Sequence, residues 1–181
     1  FWTWEAFAHG AECISYFRWR QAPFAQEQYH AGLLRPDSVE APAFAEVRQV
    51  AEELAHAPSV EDSPASVALV FDYASAWAWT VQPQGVGCDY FRLVFEVYRG
   101  LRKLGLSVDI LPPDTADLGA YGLVLIPGLT APSAALMDAI ARADTQVILG
   151  PRTGAKTAAL SIPVPLPPAI PGLDVTVARV E

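Results

Sequence analysis

Two short, wholly apolar runs constrain the fold of this chain more than any other feature. They are Val67–Phe71 and Gly122–Ile126. A strand that is apolar at every position must be buried on both faces, which is typical of a parallel sheet covered by helices on each side. We therefore expect both runs to be central strands of such a sheet.

The segments around these runs predict an alternation of strands and helices. Asp89–Leu104 and Ser133–Arg142 carry helical apolar stripes, whereas Val108–Leu111 and Gln146–Leu149 are predicted strands. The segment between the first strand and the first of these helices, Asp72–Asp89, is expected to be a loop, and Val175–Val180 is expected to add one more strand. The alternation indicates an α/β fold with a doubly wound parallel sheet.

The first 57 residues follow a different pattern of helix, strand, long loop and helix. Apolar residues recur at helical spacing from Phe1 without a preceding cap residue, which predicts that the chain is a piece of a larger protein. A strand is predicted over Cys13–Phe17 and a helix over Ala43–His56, joined by the loop Arg18–Pro42. Loops of that length are usually functional.

A polar stretch bracketed by prolines separates the two patterns. It begins at Pro58 and runs through Pro64. Such a stretch predicts an inter-domain linker, here residues 58–65, between a first domain of residues 1–57 and a second of residues 66–181.

Charge and cysteine usage exclude several classes of partner. The net charge of −8 would repel nucleic acid and anionic membranes, and no apolar run approaches the roughly 20 residues of a membrane helix. Cys13 and Cys88 have neither metal nor redox spacing, so we expect two reduced, buried thiols in a reducing compartment and a cytoplasmic protein.

The second domain lacks the residues of a nucleotide site. A phosphate cradle needs several glycines after the first strand, but Asp72–Asp89 carries bulky indoles and has only Gly85 and Gly87, near its end. Asp72 itself is expected to cap or anchor its loop. In the first helix, Glu5 and His9 are expected to form an ion pair or a packing contact rather than a functional site.

A second catalytic possibility for this domain is also disfavoured. The turn Gly150-Pro151-Arg152-Thr153-Gly154 resembles the Gly-x-Cys-x-Gly nucleophile elbow of glutamine amidotransferases. Arg152 stands in the nucleophile's place and cannot act as one. We therefore interpret the turn as a non-catalytic remnant of such an elbow.

The loop after the first predicted strand is the best candidate for a binding site. Glu27 and His30 follow a strand end rich in aromatic residues, including Phe17. A carboxylate and an imidazole can hydrogen bond to vicinal hydroxyls, while an aromatic face packs against the C–H surface of a pyranose ring. This combination favours a sugar-binding role.

Several motifs together resemble those of the glycoside hydrolase family 42 β-galactosidases. In the first domain they are WEAFAHGAE (4–12), YFRWRQ (16–21) and EQYHAGLL (27–34). In the second domain they are VFDY (70–73), Trp77 with Trp79, QPQ (82–84) and GPRTG (150–154). The resemblance extends over essentially the whole chain.

The resemblance implies a fold and a function for each domain. Residues 1–57 would be the last helix, strand, loop and helix of a (β/α)8 barrel, in which Phe17, Glu27 and His30 contact the galactose of a β-galactoside. The remainder would be a flavodoxin-like or class I glutamine-amidotransferase-like domain through which the enzyme forms a homotrimer. In the family, two glutamates hydrolyse the glycosidic bond with retention of configuration. Both would lie upstream of this chain, which would therefore carry no catalytic residue, metal site or cofactor and would be inactive alone.

An alternative from the residues themselves is a non-catalytic module. The second domain could serve only in oligomerisation, or it could bind a small molecule on a flavodoxin-like scaffold. The latter requires a ligand cradle that the sequence does not display.

Overall fold

The computed structural model describes residues 1–57 and 64–178. The chain divides into two compact units, Phe1–Ser63 and Pro64–Glu181. Most of the predicted linker lies outside the described residues. No helix in the described part of the chain is long and apolar enough to cross a membrane.

Residues 1–57 of the first unit form two helices joined by a long connection. Helix α1 spans Trp2–Ala8 and helix α2 spans Ala43–His56. The latter has the bounds that its apolar stripe predicts. The strand expected over Cys13–Phe17 does not form, because no described segment pairs with it and a strand exists only through its neighbours.

The second unit is an α/β domain built on one parallel sheet. Its four strands are β1 (Val67–Val70), β2 (Val108–Leu111), β3 (Leu123–Ile126) and β4 (Gln146–Leu149). All pairings are parallel and the order across the sheet is β2-β1-β3-β4. The predicted parallel sheet is therefore confirmed.

Helices cover both faces of this sheet at β1. They are α3 (Tyr73–Val81), α4 (Tyr90–Lys103) and α5 (Ala134–Arg142). Leu69 packs with the buried side chains of α3 and α4, whereas Ala68 and Val70 pack with those of α5 and β3. The strand is buried at all four positions, as predicted. Strand β3 is fully buried at Val124 and Ile126, on one face of the sheet, whereas Leu123 and Leu125 on the other face are only partly buried. The expectation that both faces of β3 are buried is therefore confirmed for one face and wrong for the other.

Other sequence expectations fail for identifiable reasons. Helix α3 occupies the segment that was expected to be a loop. Its sequence did not predict a helix because its aromatic and alanine residues form no polar face, and a helical period is recognised from such a face. The alternation is consequently not strict: two helices separate β1 from β2, and none separates β2 from β3. Residues 175–178 form no strand, and 179–180 lie outside the described residues.

The two cysteines are free, but both are exposed rather than buried. Cys13 lies in the irregular segment that follows α1, and Cys88 lies in the loop between α3 and α4. The expectation of buried thiols is therefore wrong.

Candidate functional site

The two ends of the loop that carries Glu27 and His30 are hydrogen bonded to each other. Backbone hydrogen bonds join the two ends: Leu33 N donates to Arg18 O (2.9 Å), Leu34 N to Trp19 O (2.7 Å) and Gln21 N to Leu34 O (2.9 Å). Arg20 and Leu34 thereby form an isolated parallel bridge. Residues 22–32 thus form a loop whose flanking segments are paired by backbone hydrogen bonds.

A glycine permits this closure. A Cβ on Gly32 would lie 2.6 Å from Gln21 N and 2.8 Å from the carbonyl carbon of Arg20. Backbone atoms cannot give way as a flexible side chain would, so only glycine allows the two ends to approach this closely.

Side chains hold the tip of the loop from within. Gln21 Nε2 donates to Gln28 O, and Gln28 Nε2 donates to Ala25 O, each over 2.5 Å. Ala25 has a φ of 69°, a left-handed conformation that turns the chain back toward its start. These contacts fix the backbone that carries Glu27.

The structure brings the three predicted sugar-binding residues into one cluster. The rings of Phe17 and His30 meet edge to face, with centroids 6.2 Å apart and planes at 72°. Arg18 lies between Phe17 and Glu27: its Cζ is 5.2 Å from the centroid of the Phe17 ring, and its Nη1 donates to Glu27 Oε2 over 3.1 Å. The same Nη1 is 3.4 Å from Glu27 O.

The cluster is open to solvent and retains unused hydrogen-bonding capacity. Phe17 is 73% exposed and the Glu27 side chain 55% exposed. Among described residues, nothing hydrogen bonds to Glu27 Oε1 or to either ring nitrogen of His30. A hollow of about 690 Å³ adjoins the cluster, lined by Arg18, Arg20 and residues 22–27. These groups can accept and donate hydrogen bonds to hydroxyls beside an aromatic face.

Sequence reasoning missed Arg18 as a member of this cluster. The available signal was its charge, since an arginine at the start of a loop can pair with a carboxylate further along it when the loop folds back. Glu5 and His9 do not pair through their side chains; His9 Nδ1 donates instead to Glu5 O (2.8 Å).

In the second unit, Asp72 caps a helix, as expected. Its carboxylate accepts hydrogen bonds from Ala74 N (3.1 Å) and Ser75 N (2.8 Å), the amides of the second and third residues of α3. Its Oδ2 also accepts from Ser75 Oγ (2.6 Å). With both oxygens engaged in capping, Asp72 is not poised as a ligand group.

An indole occupies the sheet end where a nucleotide phosphate would bind in folds of this kind. Trp79 is 5% exposed, and its Nε1 donates to Gly128 O over 3.2 Å. A Cβ on Gly128 would lie 2.7 Å from the Trp79 ring. This close fit leaves no glycine-rich cradle beside Trp79.

Arg152 takes the conformation expected of a residue on a nucleophile elbow. It follows β4 with a φ of 64°, a left-handed backbone that is costly for any residue but glycine. Thr153 ties the turn to the end of β3, because its Oγ1 donates to Ile126 O (3.0 Å) and accepts from Gly128 N (3.2 Å). Arg152 therefore lies in a left-handed turn that Thr153 ties to the end of β3.

The Arg152 side chain is directed onto Trp79, with Cζ 4.7 Å from the ring centroid. Burial lowers the pKa of its guanidinium, and the nearby Cys88 thiol acts in the opposite direction. Its Nη1 is buried without a hydrogen-bond partner among the described residues. Stacking on an aromatic face is a favourable environment for such a poorly hydrated cation.

No set of three metal-ligating side chains comes together within residues 1–57 and 64–178.

Comparisons with known proteins give the same division of the chain. Residues 1–57 match a family described as beta-galactosidase, and residues 65–172 match one described as beta-galactosidase trimerisation domain. Each range falls within one of the two compact units.

Individual relatives carry the same description. The chain is 53% identical over 167 residues to beta-galactosidase BgaA of a Thermus species and 52% identical to a beta-galactosidase of Thermus thermophilus. Each alignment covers 92% of this chain and 26% of the relative. The crystal structure of a beta-galactosidase from the psychrophilic Marinomonas ef1 superposes with a TM-score of 0.84 at 45% identity, covering 92% of this chain and 27% of that one. The chain thus spans about a quarter of the length of these relatives.

Proposed function

This chain belongs to the glycoside hydrolase family 42 β-galactosidases, and on that basis we propose that it is the C-terminal portion of an enzyme that hydrolyses terminal β-D-galactosides. Its first unit supplies part of the galactose pocket, and its second unit supplies the oligomerisation domain. The full-length enzyme, meaning this chain together with the upstream region that the proposal requires, carries out the chemistry.

The first unit is proposed to be the end of a (β/α)8 barrel. Residues 1–57 match the family described as beta-galactosidase, and the predicted strand Cys13–Phe17 has no partner strand in the described chain. Aromatic side chains of this unit are widely exposed: Phe1 is 87% and Trp2 82% exposed. A barrel strand with helices on either side needs neighbouring strands to bury such groups.

The cluster of Phe17, Glu27 and His30 carries the proposal of galactose binding. Its members approach one another on a loop whose ends are stapled together, so the site is largely formed before a sugar arrives. Phe17 offers an apolar face to the C–H surface of the ring, Glu27 Oε1 accepts a hydrogen bond from a hydroxyl, and His30 adds a donor or an acceptor.

The hydrolytic step itself is assigned to residues outside this chain. Retaining glycosidases use two carboxyl groups about 5 Å apart across the scissile bond. Glu27 is placed in neither role, because it is paired with Arg18 and has no second carboxylate among its described contacts. The contribution of this chain is to bind and orient the galactose, and we expect the isolated 181-residue chain to hydrolyse nothing.

The second unit is proposed to be a flavodoxin-like, amidotransferase-like trimerisation domain without catalytic function. The strand order β2-β1-β3-β4 follows the flavodoxin-like pattern. The left-handed Arg152 on the elbow after β4 supports descent from an amidotransferase-like ancestor. The match of residues 65–172 to a trimerisation domain supports a homotrimer.

Replacing Glu27 in the full-length enzyme tests the proposed sugar contact. A hydrogen bond to a charged group contributes about 1.5–3 kcal/mol, so Glu27→Gln is expected to lower kcat/KM for a nitrophenyl β-galactoside about 10- to 100-fold while the fold is retained. Glu52→Gln, at an exposed position of α2, is the matched control and should change little. Unchanged kinetics for Glu27→Gln would remove this residue from the site.

A further inference from the structure

Arg18 contacts two of the three side chains proposed to bind galactose, Phe17 and Glu27. Its guanidinium lies over the Phe17 ring at 5.2 Å and donates to Glu27 Oε2 at 3.1 Å. The same Nη1 reaches the main-chain oxygen of Glu27, 3.4 Å away. One cation therefore touches the aromatic face, the carboxylate and the backbone that bears the carboxylate.

Arg18 is better fixed than the groups that it contacts. Its side chain is 24% exposed, against 55% for that of Glu27. Its backbone belongs to the stapled base of the loop, where Arg18 O accepts from Leu33 N. A partly buried arginine on a fixed backbone can hold a more exposed carboxylate on a loop tip in one orientation.

The ion pair engages only one oxygen of the carboxylate. Arg18 holds Oε2, whereas Oε1 accepts no hydrogen bond from any described residue. A carboxylate held in this way keeps its remaining acceptor sites for a ligand hydroxyl, and it has already lost the rotational freedom that binding would otherwise remove.

Resting on the proposed function above, we infer that Arg18 is a positioning residue of the galactose site. It anchors Glu27 through Oε2 and the main-chain oxygen, while its guanidinium lies over the Phe17 ring. The sugar then meets a carboxylate and an aromatic face at a set separation. Arg18 acts through these two residues and needs no contact with the sugar.

A double-mutant cycle in the full-length enzyme tests this role. Arg18→Met, Glu27→Gln and the double variant are compared for hydrolysis of a nitrophenyl β-galactoside and for inhibition by free galactose. Arg18→Met is expected to raise KM and the galactose inhibition constant together by about 10-fold, with a smaller change in kcat, since it disturbs binding geometry. Because Arg18 acts largely through Glu27, the double variant should be within about threefold of Glu27→Gln alone.

Two further variants separate positioning from general structural support. Arg48→Met removes an ion pair outside residues 22–32, to Glu40 at 2.7 Å, and should leave KM unchanged. The Arg48 side chain is more exposed than that of Arg18 (56% against 24%), whereas the two carboxylate partners are similarly exposed (53% and 55%). Arg18→Lys keeps the charge but has a single donor group in place of the fork, so an intermediate KM is expected. If Arg18→Met fails to fold, the lysine variant decides the question, and a KM equal to that of the wild type would overturn the inference.

The remaining outcomes distinguish this inference from the proposed function. If Glu27→Gln lowers kcat/KM but Arg18→Met has parameters within twofold of the wild type, the positioning role is wrong and the proposed sugar contact stands. If the losses of the two single variants multiply in the double variant, Arg18 does not act through Glu27, and the inference is again overturned. If Glu27→Gln itself has no effect on kcat/KM, the proposed sugar contact of Glu27 is wrong, and the positioning role of Arg18 that rests on it is overturned as well.

Discussion

A methyl group on Gly32 would test whether the closed base of the loop controls the proposed site. The Cβ of Gly32→Ala would lie 2.6 Å from Gln21 N, where ordinary contacts begin at 3.4 Å. The two backbone segments must therefore separate by about 0.8 Å. That movement strains the hydrogen bonds from Gln21 N to Leu34 O and from Leu33 N to Arg18 O, each worth about 0.5–1.5 kcal/mol.

The displacement should also move the side chains of Glu27 and His30, because both residues lie on the loop whose ends meet at Gly32. A misplacement of about 1 Å can lower activity on the order of 100-fold. We expect Gly32→Ala to lower kcat/KM of the full-length enzyme about 10- to 100-fold, measured from initial rates on a nitrophenyl β-galactoside.

Gly100 provides a matched control for the same chemical change. It lies within α4, and its added Cβ would meet nothing within 4 Å. Gly100→Ala should leave kcat/KM unchanged and raise stability by roughly 0.5–1 kcal/mol, the gain in helix propensity. If Gly32→Ala keeps kcat/KM within twofold of the wild type, the base of the loop does not set the geometry of the site.

Two other predictions concern the second unit. Burial raises the pKa of Tyr90 from 10.0 to about 12, so the unfolded chain loses this proton first as the pH rises. The contribution of Tyr90 to the free energy of unfolding is constant below about pH 10. Between about pH 10 and pH 12 it should fall by roughly 1.4 kcal/mol per pH unit. Tyr90→Phe should lack this component in urea titrations, and an identical alkaline loss in both proteins would contradict the assignment. Separately, light scattering of the full-length enzyme should give the mass of a trimer, and a stable monomer would count against the oligomerisation role.

The sequence predicted the regular elements that have a clear period or a continuous apolar run. Helix α2 has a polar and an apolar face and begins and ends where its stripe does. Strand β1 is apolar throughout and is buried throughout. In both, the local pattern and the tertiary environment require the same structure.

Elements without a periodic signal could not be predicted in this way. Helix α3 buries Ser75 and Trp79 while Tyr73 and Trp77 remain exposed, so hydropathy does not separate its faces. The segment Cys13–Phe17 has strand-like residues, but hydropathy cannot supply the neighbour that a strand needs.

For the candidate site, residue chemistry identified the acid, the imidazole and the aromatic ring but not what holds them. The contact of Arg18 with Glu27 depends on a loop that folds back across nine positions. That return is set by the close approach at Gly32 and the hydrogen bond from Gln21 to Gln28. None of these leaves a periodic signature in the sequence.

A crystal structure of the full-length enzyme with galactose bound would show directly whether Phe17, Glu27 and His30 bind the sugar. We expect the sugar ring against Phe17, one hydroxyl within about 3.2 Å of Glu27 Oε1 and another within about 3.2 Å of a His30 ring nitrogen, with Arg18 still bound to Glu27 Oε2. Galactose bound in the catalytic pocket without contact to Phe17, Glu27 and His30 would contradict it.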